Sequence, residues 1–323
     1  MVRICSAVHD DLPATLGPYR VLRRLGAGGM AEVLLGETLG ASGFSRRVAI
    51  KRPLSSFRDD DELTRLLIAE ARVGSRIHHR NLVSVHDLGL DGSTYFVVMD
   101  YVDGADLGSL RRRTPPCAEV AVHVVGEVLL GLHHLHRLPD AHGQPLGLVH
   151  RDVSPSNVLV SSSGETKLAD YGIAKATRLA GNTAANIRRG KFGYMSPEQV
   201  AGEPLDARSD LFGVVVMLVE LLLGERPFDG EGPAQVLERI REAAPPDLDG
   251  VPAELRPVVA RGLQARPSAR HDDALALRRA LLDAWPAATR VGPPEVAAWV
   301  ERAGSDDAPG GRAATQRTVF DPA

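Results

Sequence analysis

The hydrophobic pattern of this chain changes character near Pro116. Before that point, short apolar runs bounded by glycine and polar turns predict strands; after it, longer apolar stretches at helical spacing predict helices. Val21 to Leu25, Ala31 to Gly36 and Arg47 to Arg52 read as three antiparallel strands, the first two joined by a glycine turn. Leu82 to Leu90 and Thr94 to Tyr101 read as two more, parted by Asp91-Gly92. Between these groups Asp59 to Asp61 supply the capping oxygens and negative charge that favour a helix start. The helix that follows puts Leu63, Leu66, Leu67, Glu70, Val73 and Ile77 on one stripe. Glu70 therefore lies on an apolar face, where a carboxylate needs a cationic partner or must take up a proton.

In the second half, Ala118 to Leu138 predicts a helix bearing His133, His134 and His136, with His142 beyond it. Zinc is one use for such a cluster, but no acidic or cysteine residue accompanies it, so a structural role is preferred. Val149 and the run Val158 to Val160 are buried anchors around a polar stretch. That stretch sets Asp152 five residues before Asn157, an arrangement suited to a base and a metal ligand converging on one point, or to an ordinary polar turn. Thr166 to Ala169 reads as a short strand delivering Asp170. Leu211 to Leu223 is so uniformly apolar that it predicts a buried core helix capped by Asp210. Helical spacing continues to Trp285; then Pro286, Pro293 and Pro294 interrupt it, and only Glu295 to Arg302 resumes. Residues 1 to 18 predict a mobile leader, and Gly304 to Ala323 a disordered tail with Thr315 and Thr318 among its arginines.

Composition narrows the function classes. A net charge of -3 gives no pull toward nucleic acid. Cys5 and Cys117 are too few for a disulfide framework and fit a reducing compartment. No secretory leader is evident, and the most apolar run, Val214 to Leu223, is broken by Glu220 and shorter than the about 20 residues a bilayer needs. A cytoplasmic protein with no membrane span is expected. The basic residues are almost all arginine, so the lysines Lys51, Lys167, Lys175 and Lys191 stand out as compact point charges.

His150-Arg151-Asp152, followed by Asn157, resembles the catalytic loop of the protein kinases. Gly26-Ala27-Gly28, Val48-Ala49-Ile50-Lys51 and Asp170-Tyr171-Gly172 occur in the same order as that family's other signatures, over residues 19 to about 280. The loop Gly26-Ala27-Gly28-Gly29-Met30 is most similar to that of the bacterial, eukaryote-like Ser/Thr kinases. The resemblance implies an α+β, bilobal fold: a β-rich N-lobe with one long helix over 19–101, a mainly helical C-lobe over 102–285, then a short helix and tail over 286–323. It implies transfer of the γ-phosphate of ATP to Ser/Thr hydroxyls of protein substrates, with Mg²⁺ and with autophosphorylation of the activation segment. Gly26, Ala27, Gly28 and Gly29 would cradle phosphates; Val33, Ala49, Met99 and Leu159 would border adenine, and the Val102 backbone would bond to it. Lys51, fixed by Glu70, would hold the α- and β-phosphates, Asp170 and Asn157 the Mg²⁺, and Asp152 the acceptor hydroxyl. Asp210 would anchor the catalytic loop, and Arg270 would pair with Glu198. Residues 173–195 would form the activation segment, with Thr177 and Thr183 as phosphate acceptors near Arg178, Arg188 and Arg189. A homodimer through the N-lobe is a further candidate.

Several positions depart from the family pattern. Ala31 replaces the third glycine, Tyr171 the usual Phe, and Arg266 an Asp, while residues 137–148 form a longer connection. Ser154 stands where Ser/Thr kinases carry a Lys, and Lys191 where they carry a Thr. One reading is that Lys191 reaches toward Asp152 and the γ-phosphate and restores the missing charge. The other is that Lys191 faces solvent and the rate is lower. These departures keep a second function class open: a pseudokinase that binds nucleotide and signals as a scaffold. Transfer to a small molecule is disfavoured by Ser196-Pro197-Glu198 and the core helix after it.

Overall fold

The computed structural model describes residues 12–39, 43–58, 60–140, 142–171, 192–242 and 247–305. Its first part is an antiparallel sheet of β1 (Thr15–Leu16), β2 (Tyr19–Ala27), β3 (Ala31–Leu39), β4 (Ser45–Pro53), β5 (Val85–Asp91) and β6 (Thr94–Asp100), in the order β1-β2-β3-β4-β6-β5. Strand alternation sorts its apolar residues onto two faces. Val33, Leu35, Ala49, Val97 and Met99 pack toward helix α1 (Asp61–Gly74) and the second lobe, whereas Leu34, Val48, Ile50, Phe96 and Val98 pack with Leu16 and Tyr19. Leu16 is buried, and the Val21 amide donates to the Ala14 carbonyl at 3.0 Å. The expected leader is therefore too long at its far end, because residues 12–18 close the outer face of the sheet.

Asp60 caps α1 by accepting the Leu63 amide at 2.9 Å. Leu66, Leu67, Ala71 and Gly74 form its buried face; Ile77 lies beyond the helix end and packs into the larger core.

The second lobe is built on two apolar helices, α3 (Ala118–His136) and α5 (Ala207–Leu223). The helices around them are α2 (Leu107–Arg113), α4 (Pro197–Ala201), α6 (Pro233–Glu242), α7 (Arg256–Gly262), α8 (Ala274–Ala284) and α9 (Pro293–Ser305). A small sheet, β7 (Gly104–Asp106), β8 (Val158–Ser161) and β9 (Thr166–Leu168) in that order, lies at the junction of the lobes. Among the described residues α3 is long and apolar enough to cross a membrane, but 61% of its apolar window is buried inside the lobe, as in a core helix.

Two expectations need correction. The cap of α5 is Asp206, which accepts the Arg208 amide at 2.8 Å; Asp210 sits a turn further in and is used elsewhere. The C-lobe also does not stop at 285. Val296, Trp299 and Ala303 of α9 are buried in its core, and Trp299 Nε1 donates to the Thr114 carbonyl at 2.9 Å. Pro293 and Pro294 open this helix instead of breaking it, because a first-turn N–H has no helical partner to lose. In the long connection, Asp140 accepts the amides of His142 and Gln144, and Arg76 bonds to the Pro139 carbonyl, tying the segment to the end of α1.

Candidate active site

Asp210 organises the polar loop. It is 2% exposed, and its two oxygens accept the backbone amides of His150 and Arg151, each at 2.8 Å. His136, from the histidine-rich end of α3, adds a contact of 2.7 Å from Nε2. Gln199 Nε2 holds the Arg151 carbonyl at 3.0 Å. These bonds fix Arg151 in a left-handed backbone conformation, φ 65, which a non-glycine residue adopts only when its surroundings impose it.

The His150 ring is wholly buried. Its Nδ1 lies 3.3 Å from the Asp152 amide and its Nε2 3.1 Å from the Ala169 carbonyl, an acceptor and a donor that suit a neutral imidazole. Burial lowers its pKa despite the opposing field of Asp210 and Asp152.

Asp152 is oriented by Asn157, whose Nδ2 donates at 2.8 Å to both its carbonyl oxygen and its Oδ2. A 3₁₀ turn, Pro155–Asn157, sets this geometry, with the Asn157 amide on the Ser154 carbonyl at 3.0 Å. The Asn157 carbonyl in turn accepts the Ala169 amide at 2.8 Å, which links the loop to Asp170.

Asp170 also has a left-handed backbone, φ 57, at a cost on the order of 1 kcal/mol. Its Oδ1 lies 2.8 Å from Lys51 Nζ, which also contacts Glu70 Oε1 at 3.0 Å and Oε2 at 3.3 Å. Lys51 comes from β4, opposite Val97, and Glu70 from the inner face of α1. Glu70 thus has the partner that its place on an apolar stripe demands. For Lys51, burial would lower the pKa, but the carboxylates of Asp170 and Glu70 outweigh it and raise it. For Glu70, burial and the nearby Asp170 push the pKa up against the pull of Lys51.

Above these charges Val33, Ala49 and Met99 of the first lobe share a buried apolar cluster with Leu159 and Ala169 of the second, and Val102 packs at its edge. The glycine turn is closed by the Gly28 amide on the Ala31 carbonyl at 2.7 Å; Gly26 pairs with Val33, and Ala27 with Glu32. The residues therefore form an apolar slot, a glycine hairpin over it and a charged floor. Two side chains with hard oxygen donors, Asp170 and Asn157, stand on that floor, a donor set that suits Mg²⁺. Lys191, Gly172, Thr177 and Thr183 lie outside the described residues. Ser154 is buried, with its Oγ 3.0 Å from Ser156 Oγ.

A second ion pair supports the site from below. Arg270 Nη1 and Nη2 lie 2.7 and 2.8 Å from the two oxygens of Glu198, and Ser209 Oγ adds 2.7 Å. Ser196 caps α4 through a reciprocal box with Gln199. Nothing in the sequence pattern points to the Gln199 bond to Arg151 or the His136 bond to Asp210. His136 was legible only as one of a histidine cluster; His134 of that cluster stacks on His79 at 5.0 Å.

Residues 19–280 match the protein kinase domain family. The chain belongs to the protein kinases. It is 36% identical over 274 residues to the tyrosine-protein kinase MasK of Myxococcus xanthus, a span of 82% of this chain and 42% of MasK. Over 281 residues it is 36% identical to the serine/threonine-protein kinase PknL of Mycobacterium tuberculosis, covering 84% of this chain and 67% of PknL. The solved kinase domain of Mycobacterium tuberculosis PknI superposes with a TM-score of 0.63 at 28% identity, covering 85% of this chain and 99% of that one. The chain thus spans less than half the length of MasK. As a protein kinase it has the bilobal, α+β fold of the family, with α9 outside the matched residues.

Proposed function

We propose that this kinase transfers the γ-phosphate of ATP to serine and threonine hydroxyls of proteins. One observation carries the reading: Asp152, aimed by Asn157, and the Lys51–Glu70–Asp170 triad are held in one cleft through the shared Asn157–Ala169 link. Such transfer asks a protein mainly for position and charge. ATP with Mg²⁺ supplies the phosphoryl group and the neutralising charge. Lys51 Nζ, kept cationic by its two carboxylates, binds phosphate oxygens; Asp170 and Asn157 hold the metal; the glycine turn offers backbone N–H groups. Asp152 orients the acceptor hydroxyl and takes its proton. The Val33, Ala49, Met99 and Leu159 slot takes the base and keeps water from it.

Three finer statements belong to the same reading. Lys191 supplies the charge that Ser154 lacks, so Lys191→Met lowers transfer. Thr177 or Thr183 accepts phosphate in autophosphorylation. The enzyme works in the cytoplasm on protein substrates and self-associates through its N-lobe. Because Ser154 departs from the Ser/Thr pattern and MasK bears the name of a tyrosine kinase, tyrosine is the competing acceptor.

The test is transfer of labelled γ-phosphate from Mg-ATP to the purified chain and to basic proteins, beside Asp152→Asn, with phosphoamino-acid analysis of the product. Label that vanishes in the variant and resides on serine or threonine is expected. Nucleotide binding without label in either protein replaces this reading with the scaffold.

A further inference from the structure

Tyr171 replaces a phenyl ring with a phenol, and the added hydroxyl is buried with the ring, 3% exposed. A buried hydroxyl needs a partner, and this one donates to the backbone carbonyl of Val83. The ring stands edge-on to His150, centroids 6.3 Å apart at 76°. Gly74 is a further neighbour: a Cβ there would meet Tyr171 Cε2 at 3.5 Å, an ordinary contact, but would collide with Val85 Cγ2 at 2.5 Å.

The Val83 loop is joined to the strand that delivers Asp170. The Val83 amide donates to the Leu168 carbonyl at 3.0 Å, and the Leu168 amide to the Asn81 carbonyl at 2.8 Å. Leu168, two residues before Asp170, is thus fixed to this loop by its backbone. Tyr171, one residue after, is fixed to the same loop by its hydroxyl. Asp170 is bracketed from both sides while its own backbone holds the left-handed conformation and its carboxylate reaches Lys51 at 2.8 Å. A phenol is un-ionised near neutral pH, so the hydroxyl is available as a donor to the Val83 carbonyl.

We infer that the Tyr171 hydroxyl, through the Val83 carbonyl, latches Asp170 in its left-handed, cleft-facing conformation and thereby sets how strongly Mg²⁺ enhances nucleotide binding. Tyr171 is a positioning residue that touches neither nucleotide nor metal. The inference rests on the reading of Asp170 as the metal ligand, and the experiment separates the two.

ADP affinity of the full chain is measured by calorimetry with and without Mg²⁺ for wild type, Tyr171→Phe, Tyr171→Leu and Asp170→Asn, and backbone hydrogen exchange is followed over residues 168–171. Loss of one buried hydrogen bond predicts that Mg²⁺ enhancement falls about three- to tenfold in Tyr171→Phe, with Mg²⁺-free ADP affinity unchanged. Exchange over 168–171 is expected to quicken in the same variant. Tyr171→Leu, which also lacks the hydroxyl, loses at least as much enhancement, and Asp170→Asn loses nearly all. Unchanged enhancement and exchange in Tyr171→Phe overturn the latch, even if its melting temperature drops, because the ring would then serve packing alone. If wild-type ADP binding is indifferent to Mg²⁺, the metal reading fails, and the latch stands or falls on the exchange result.

Discussion

Two buried ion pairs of this kinase use the same charges to opposite ends. Glu198 and Arg270 form a closed unit: both terminal guanidinium nitrogens meet the carboxylate, Ser209 completes it, and Arg270 spends its other donors on the carbonyls of Gln264, Ala265 and Arg208. Arg270 also lies over the Phe212 ring at 4.9 Å. Lys51 has instead two carboxylates for one ammonium, all three slightly exposed to the cleft. That set carries surplus negative charge and a cation that can be shared further. The contrast separates a closed pair that stabilises the fold from an open set that, on the proposed function, keeps charge available for a ligand, and the distances alone would not do so.

The largest effect expected is on rate. Asp152→Asn keeps the bond pattern of the loop but removes the base, and loses about 10²- to 10⁴-fold in phosphotransfer; near-wild-type turnover would take Asp152 out of that role. Next comes Arg270→Met, which strands Glu198 in a closed pocket and costs about 3–5 kcal/mol of unfolding free energy in denaturant titration. Lys51→Met abolishes transfer yet costs much less stability, because Glu70 is already biased toward taking up a proton. Equal stability losses in the two variants would erase the distinction. Ser209→Ala removes one charge-assisted bond of the closed pair and is expected to cost about 1.5–3 kcal/mol, with turnover little changed.

The smallest effect is in pH dependence, and its sign differs between the pairs. Burial raises the pKa of Glu198, but the bonds and charge of Arg270 more than reverse this and hold it below the ordinary carboxylate range. Its contribution is present above that range and is lost as pH falls through the folded value. The pKa of Glu70 is raised, so it opposes folding above its folded value and that penalty fades on acidification. Denaturation at several pH values from 7 down to about 3, which reaches below the ordinary carboxylate range, should therefore show Glu198→Gln and Glu70→Gln altering the slope in opposite senses.

The sequence made the cleft legible wherever chemistry fixes both residue type and spacing. Glu70 on an apolar stripe called for a cation, and Lys51 supplies it; Asp152 and Asn157 meet as their spacing suggested. What escaped depends on long-range placement. Asp206 and Asp210 are both good capping residues, and only the packed loop shows that Asp210 is taken by the amides of His150 and Arg151. Pro293 and Pro294 look like breakers until the helix start is seen, and no spacing in the chain points from Tyr171 to the Val83 carbonyl. Residues 12–18 lacked a period because a two-residue strand is too short to show one.

Helix α9 has a mechanical consequence. Trp299 is plugged into the second lobe and tied to Thr114 at the end of α2, the helix that follows the crossing between lobes. Gly164, in the β8–β9 turn, leaves room for the Pro293 carbonyl, which would lie 1.9 Å from a Cβ there. A fragment trimmed to the matched residues 19–280 would therefore uncover the Trp299 socket, and a load applied at the Ser305 end of α9 would be felt first at the tie between Trp299 and Thr114.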